Sequence, residues 1–291
     1  MNIFEKLFAQ TEIPKLYPVH FTLPRGTIKR AEIEALLFGE FAEKRLDCQI
    51  RPGMSVAIAV GSREITNLAE IVKTVVEFVK RSGGIPFIFP AMGSHGGATA
   101  EGQLKVLSGY GVTEAAMGCP IRSSMETVQI STTAGGLPVH IDKYADEADG
   151  IIVIGRIKPH TDFRGKYESG LMKMLTIGLG KQCGANLCHS MGMSNMPETI
   201  EAYAGEVLRL KNVICGVGII EDAFHATYRL TVVPGGEIAD REPALLSEAK
   251  SLIPCIPFRK IDVLVLDEIG KDISGAGMDP NVTGRSQAMG V

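Results

Sequence analysis

Short apolar runs alternate with helical patterns in the first half of this chain, and this alternation limits the fold more than any other feature. Residues 54–61 form a β-branched run that ends at a glycine, and residues 85–89 form a second one. Between them, apolar residues recur at helical spacing from 68 to 79, with Thr66 as the expected N-cap and Gly83 as the stop. Residues 99–107 predict a further helix. A βαβα order predicts a parallel sheet with helices on its faces.

The rest of the chain continues this pattern. The predicted elements are a hairpin (126–131 and 137–141), strands at 151–154, 213–219, 228–233 and 261–266, helices at 144–148, 199–210 and 243–252, and a short helix or turn at 171–177. We therefore expect a Rossmann-like, mostly parallel sheet with helices on both faces. Residues 1–260 are expected to form an N-terminal α/β domain, and residues 261–291 the beginning of a second, truncated domain.

Composition narrows the class of protein. The net charge of −3 and the even mixing of charged residues give no reason to expect nucleic acid or an anionic membrane as a partner. No apolar run approaches the roughly 20 residues that span a bilayer, and the N-terminus lacks the plan of a signal peptide. The six scattered cysteines indicate a reducing compartment, so we expect a cytoplasmic protein.

Histidines and a lysine follow the ends of two predicted strands. The strand at 85–89 leads to Ser94-His95-Gly96, and the strand at 151–154 leads to Pro159-His160 and then to Lys173 and His189. Ligands of open α/β sheets bind beyond the carboxyl ends of the strands. Imidazole can exchange a proton near neutral pH or bind a metal. The sequence therefore predicts an active site at this edge.

Each candidate residue has an alternative interpretation. Lys173 lies among apolar neighbours, so its amine is either desolvated and nucleophilic or snorkels from an amphipathic helix. Arg63 either clamps a carboxylate or lies on the surface at a helix entry. His140 and His225 are predicted to be structural. Cys183 and Cys188, next to His189, could bind a metal, but their spacing matches no standard zinc pattern and a structural role is favoured.

Taken together, these motifs resemble the lactate racemase family. The resemblance rests on Ser94-His95-Gly96, residues 157–160, residues 170–173 and His189, and it covers about residues 50–230. The separation of sixteen positions between Lys173 and His189 is similar to that between the cofactor lysine and the nickel-binding histidine of the family.

The resemblance implies an isomerase, a racemase or epimerase of 2-hydroxy acids that uses a nickel-pincer nucleotide and reversible hydride transfer. Lys173 would hold the cofactor through a thioamide, and His189 would bind its nickel ion. His95 and His160 would be the acid–base pair on opposite faces of the substrate carbon, and Arg63 would hold the substrate carboxylate. Cofactor-maturation proteins are the expected protein partners.

Two features depart from the family pattern. Ser169-Gly170-Leu171-Met172-Lys173 replaces the usual Gly-Gly-Arg-Lys, and the interval between His160 and Lys173 is longer, with charged Arg164, Lys166 and Glu168 inserted. Such charges could bind further polar groups, so a substrate larger than lactate is expected. Lys271 is a possible stand-in for a lysine that the family's second domain supplies.

Two other functions remain open from the sequence. One is a zinc-dependent hydrolase built on His95, His160 and His189, although the chain contains no His-Glu-x-x-His motif. The other is a non-catalytic domain that retains the fold.

Overall fold

The computed structural model describes residues 2–11, 15–258, 260–270 and 277–284. The helices are α1 Ile3–Gln10, α2 Ile33–Glu43, α3 Leu68–Arg81, α4 Ala100–Gly109, α5 Glu114–Met117, α6 Lys143–Glu147, α7 Leu171–Lys173, α8 Lys181–Ser190, α9 Met196–Leu210, α10 Ile238–Ser251 and α11 Pro280–Thr283. The strands are β1 Ser55–Val60, β2 Ile85–Pro90, β3 Thr127–Thr132, β4 Pro138–Asp142, β5 Gly150–Arg156, β6 Val213–Glu221 and β7 Thr227–Pro234.

Five strands form the central sheet in the order β2-β1-β5-β6-β7. The first four are parallel, and β7 is antiparallel to β6. In this register Val60 lies opposite both Pro90 and Ile154, so the carboxyl ends of β2, β1 and β5 lie at one edge of the sheet. The mostly parallel sheet is confirmed, as is the hairpin, which β3 and β4 form separately.

Both faces of the sheet are buried under helices. Alternate residues of β1 point to opposite sides: Val56 and Ile58 join one core cluster with α2 and α3, while Ala57 joins another with α9 and α10. Strands covered on both faces become nearly continuous apolar runs. This explains why β1 and β5 were recognisable in the sequence.

The predicted helix cap at Thr66 is wrong. Asn67 precedes α3 in a left-handed conformation with a φ of 64°, and its side chain caps no helical N–H. The Thr66 N–H donates instead to Glu221 Oε1 at 2.7 Å, and its hydroxyl donates to the His225 carbonyl. Thr66 therefore joins the end of β1 to the β6–β7 turn.

The predicted strand at 261–266 is also wrong, because these residues form neither strand nor helix. Val263 and Val265 are 79% and 85% exposed. A β-branched run becomes a strand only where another strand can pair with its backbone, and the described residues provide no such pairing there. The proposed domain boundary at residue 261 stays a prediction. In the described part of the chain, no helix is long and apolar enough to cross a membrane.

Helix α10 begins at Ile238, five residues earlier than predicted, so Pro243 lies within it. A proline has no N–H to donate to the carbonyl four residues earlier, which here belongs to Ala239. The buried Tyr167 hydroxyl donates to that carbonyl at 2.8 Å. The carbonyl that lacks its helical hydrogen bond thus binds a side chain of the loop after β5.

Candidate active site

Three of the predicted site residues lie in the loops that follow β1, β2 and β5. These residues are Arg63, His95 and His160. The chain leaves β1 toward β2 on one side and later returns to β5 on the other side. The boundary between β1 and β5 is therefore the topological switch point, where open α/β sheets bind ligands. Arg63 and His160 follow the two strands that flank it.

The segment that carries Lys173 lies across the same strand ends. A Cβ on Gly155 of β5 would lie 3.0 Å from Met174 Cγ, and one on Gly61, after β1, would lie 3.4 Å from Met174 Sδ. The absence of side chains at both glycines lets the backbone of this segment approach the sheet edge. Residues 174–178 form one π-helical turn, with Leu179 N–H donating to the Met174 carbonyl at 2.9 Å. Such turns are frequent at functional sites.

Lys173 is half-buried and, among the described residues, has no ion-pair partner. Its amine lies 5.4 Å from the centre of the Phe163 ring. Burial, and then the positive charge of Arg63, lower the pKa of Lys173 to about 8, although Asp162 opposes this change. This environment matches a desolvated amine better than a snorkelling one.

A carboxylate distant in sequence caps the helix that carries Lys173. The buried Glu242 of α10 accepts the Met172 N–H through Oε2 at 2.8 Å. A Cβ on Gly170 would lie 2.3 Å from Glu242 Oε1, so a side chain there would displace the Glu242 carboxylate. Burial raises the pKa of Glu242 to about 7, and its Oε1 has no hydrogen-bond partner among the described residues. No local sequence signal points to this contact across 70 residues.

His160 is held in one orientation by its own loop. Its ring stacks on Phe163 with centroids 4.1 Å apart, and Nδ1 accepts the Asp162 N–H at 3.1 Å. The neutral ring must then carry its proton on Nε2. Burial, followed by the charges of Lys173 and Lys158, lowers the pKa of His160 to about 3. Asp162 Oδ2 lies 3.9 Å from Nδ1.

The charged residues Arg164, Lys166 and Glu168, between His160 and Lys173, have partners within the protein. Glu168 is fully buried and accepts the His160 N–H at 2.7 Å and the Lys250 ammonium at 2.6 Å. Arg164 donates to the carbonyls of His160 and Phe163. Lys166 pairs with Glu201 at 2.7 Å on the surface. These residues build the loop, so the expectation that they contact a larger substrate has no structural support.

His95 lies at the end of β2, where its Nδ1 is hydrogen-bonded to the Ser62 hydroxyl. Desolvation, followed by the charges of Arg63 and Lys173, lowers its pKa. Arg63 and Lys173 also lower the pKa of His160. The two imidazoles therefore share the same cationic neighbours.

A network of hydrogen bonds among buried polar side chains supports the His95 loop. Lys181, at the start of α8, donates to the Pro90 carbonyl at 2.7 Å and to Gln103 Oε1. Gln103 Nε2 donates in turn to the carbonyls of Gly93 at 3.0 Å and His95 at 3.2 Å. The Lys181 ammonium also lies 3.6 Å from Asp142 Oδ2, and both side chains are fully buried. No motif in the sequence connects these residues.

His189 lies in the last turn of α8 and is exposed, rather than in a loop or turn as expected. Ala185, one turn earlier on the same face, would be 3.5 Å from a Cβ on Gly93. His189 therefore lies one turn beyond the point where α8 meets the His95 loop. Across the described ranges, no hydrogen bond, ion pair or ring contact joins its imidazole to Lys173.

The structure gives no support to a multi-residue metal site. Among the described residues, no three His, Cys, Asp or Glu side chains lie together as metal ligands. This applies to the three-histidine zinc arrangement and to the cluster of Cys183, Cys188 and His189. A cofactor that brings its own metal ligands needs only one histidine from the protein and no such cluster.

The remaining candidate residues lie apart from these loops or outside the described residues. His140 is in β4, where its backbone is hydrogen-bonded to the Tyr203 hydroxyl. The His225 side chain is 80% exposed in the β6–β7 turn, which does not fit a structural role for its ring. Lys271 lies outside the described residues.

Comparisons with known proteins agree with this architecture. A structural match is the lactate racemase apoprotein from Thermoanaerobacterium thermosaccharolyticum, with 14% identity and a TM-score of 0.55 over 78% of this chain. The match covers 62% of that protein, and at this identity it shows the fold alone. A comparison with curated protein sequences gave no significant match. The family model for the lactate racemase N-terminal domain matches residues 13–200, which is more than half of the chain. The chain therefore belongs to the lactate racemase N-terminal domain family.

Proposed function

We propose that this chain carries the cofactor-binding and catalytic part of a racemase or epimerase that acts on a 2-hydroxy acid, with a nickel-pincer nucleotide held by Lys173. The main support is the arrangement at the β1–β5 switch point. There, a half-buried amine that has no ion-pair partner within the described ranges has two imidazoles and a guanidinium as electrostatic neighbours.

The environment of Lys173 suits covalent attachment of a cofactor. An amine with a pKa of about 8 is partly neutral near neutral pH, and only the neutral form is a nucleophile. His189, one helix further along the chain, would be the single protein ligand to nickel. When bound, the nucleotide supplies the acceptor for the hydride of the substrate α-carbon. Cofactor-maturation proteins would have to load it.

His95 and His160 would exchange the proton of the substrate hydroxyl. In the orientation described, neutral His160 can donate a proton-bearing Nε2 but cannot accept there, because Nδ1 already accepts the Asp162 N–H. To act as a base at Nε2, His160 needs its proton on Nδ1. The Asp162 carboxylate, 3.9 Å from Nδ1, would stabilise that form after a small rotation. Ser62 would orient His95 in a similar way.

Arg63 would bind the substrate carboxylate. Its side chain is exposed, and among the described residues it has no hydrogen-bond or ion-pair partner. A guanidinium can hold a carboxylate with two parallel hydrogen bonds, which fixes the α-carbon relative to the imidazoles. The hydroxyl proton and the hydride both return to the substrate, so the reaction needs no external oxidant or base.

The test is the intact mass of protein matured in a host that makes the cofactor. We expect an adduct on the wild-type chain that is absent from Lys173→Ala and retained in Lys166→Ala, whose lysine is on the surface. Metal analysis of the same samples should find nickel, and the matured wild type should racemise a 2-hydroxy acid. The same adduct on Lys173→Ala, or zinc in place of nickel, would contradict the proposal.

A further inference from the structure

The basic residues around the His160 loop differ in whether the protein already neutralises them. Arg156 pairs with the buried Glu221, Lys250 with Glu168, and Lys166 with Glu201, and Arg164 donates to two carbonyls. In the part of the chain that the structure describes, three basic side chains near this loop have no hydrogen-bond or ion-pair partner: Arg63, Lys158 and Lys173. The proposed function uses Arg63 and Lys173 and leaves Lys158 unexplained.

Two backbone hydrogen bonds hold Lys158 in place within the His160 loop. Its N–H donates to the Ser169 carbonyl at 2.9 Å, and the Ser169 N–H donates back at 3.2 Å. Lys158 is two residues before His160 in the same loop. The side chain is half-buried.

The charges around Lys158 place it among the site residues. The charge of Lys158 helps to lower the pKa of His160, and that of Arg63 helps to lower the pKa of Lys158 after burial and Arg156. Asp279 and Glu221 act in the opposite direction, but neither forms an ion pair with Lys158, and Glu221 pairs with Arg156. A half-buried cation without a partner is unfavourable until an anion reaches it.

We propose that Arg63 and Lys158 form a two-cation site for a substrate with two acidic groups, a 2-hydroxy dicarboxylate. This inference rests on the proposed function. Once Lys173 holds the cofactor through a thioamide, its nitrogen is no longer charged, and one substrate carboxylate neutralises Arg63. Of the cations that the structure describes beside His160, Lys158 is then the one left without a partner, and a second carboxylate would neutralise it.

Calorimetric titration of the matured full chain with malate and with lactate tests this site. We expect malate to bind at least about tenfold more tightly, because it gains a charge-assisted contact. Lys158→Met should remove this preference and leave lactate binding unchanged, while Lys158→Arg should retain most of it. Lys166→Met is the matched control, since it removes a charge from the same loop at an exposed position that is already paired.

Equal affinities for the two acids, or no binding of either, would overturn the site. So would an equal loss of both affinities in Lys158→Met. The cofactor phosphate is the other anion that Lys158 could bind, and nicotinic acid mononucleotide is the probe for it. If Lys158→Met weakens the binding of this nucleotide to the unloaded chain and leaves the malate preference intact, Lys158 binds the cofactor phosphate and the two-cation substrate site is wrong. If the mass adduct is present on Lys173 but malate is not preferred over lactate, only the two-cation site is rejected. If malate is preferred but Lys173 carries no adduct, the proposed function is rejected.

Discussion

Lys181 and Gln103 are both fully buried, and the Lys181 ammonium donates a hydrogen bond to the Gln103 side-chain carbonyl beneath the loop that carries His95. The Gln103 amide then donates to the carbonyls of Gly93 and His95. Lys181 opens the helix that ends near His189 and follows the turn after Lys173. One network thus links the loop of the proposed base to the segment of the proposed cofactor residues.

Replacing Gln103 with Met should remove three hydrogen bonds while keeping a similar side-chain length. We expect a loss of about 1–3 kcal/mol in the free energy of unfolding, because Lys181 and two carbonyls lose a partner. The His95 ring resonances should shift in an NMR spectrum of the folded protein. Gln129→Met, at an exposed position in β3, is the control. A loss no greater than that of the control would show that the network does not hold the loop.

The Lys173 amine should react with acetic anhydride at unusually low pH. Because burial and Arg63 place its pKa at about 8, acetylation should be half-maximal near that pH rather than near 10.5. Arg63→Met should move the midpoint upward, since it removes a positive charge that disfavours the ammonium. Arg30→Met, whose arginine is exposed and paired with Glu70, should not move it. Peptide mass spectrometry after pulses at different pH measures each midpoint, and one near 10.5 in the wild type would refute the prediction.

Local sequence patterns predicted the sheet well because strands covered on both faces are continuous apolar runs. The loops that follow such strands could also be located, and this placed Arg63, His95 and His160 at one edge. Helix α2 was missed although its pattern was present: Ile33, Leu37 and Phe41 recur at four-residue spacing and are all buried.

Contacts between residues distant in sequence could not be predicted in the same way. Glu242 caps the helix of Lys173 from 70 residues away, and Lys181 reaches Gln103 across 78. Neither residue stands in a motif, and their roles depend on how helices pack on the sheet. The prediction of a strand at 261–266 was wrong for the same reason. A strand needs a second strand to pair with, and its own residues do not show whether one is present.

The stability of the protein should fall in acid partly because of His160. Its pKa is about 3 in the folded protein against 6.5 ordinarily, so between these values the unfolded chain binds a proton that the folded chain excludes. Relative to His160→Asn, the wild type should therefore lose about 1 kcal/mol per pH unit between pH 6 and pH 4. Urea denaturation at several pH values measures this difference.

The matched control for His160 is His225→Asn, because the His225 side chain is 80% exposed. Urea denaturation of this variant over the same pH range shows the effect of removing an imidazole at an exposed position. A curve for His160→Asn that runs parallel to that of the wild type would mean that His160 takes up a proton as readily in the folded protein as in the unfolded chain.

Glu242 should show the opposite dependence on pH. Its pKa is raised to about 7 by burial, so the folded protein retains a proton there that the unfolded chain has released, and stability falls as pH rises from 4.5 to 7. Glu242→Gln keeps an acceptor for the Met172 N–H and cannot ionise, so it should gain stability relative to the wild type over this range.

The variant Glu242→Leu separates the cap from the charge. It leaves the buried Met172 N–H without an acceptor and should destabilise the protein by about 1–3 kcal/mol at pH 5, where Glu242→Gln stays close to the wild type. Glu237→Gln, at an exposed position before α10, is the control for a lost carboxylate. Urea denaturation at pH 5 and pH 8 distinguishes the variants. If Glu242→Leu is as stable as Glu242→Gln at pH 5, Glu242 does not support the helix of Lys173.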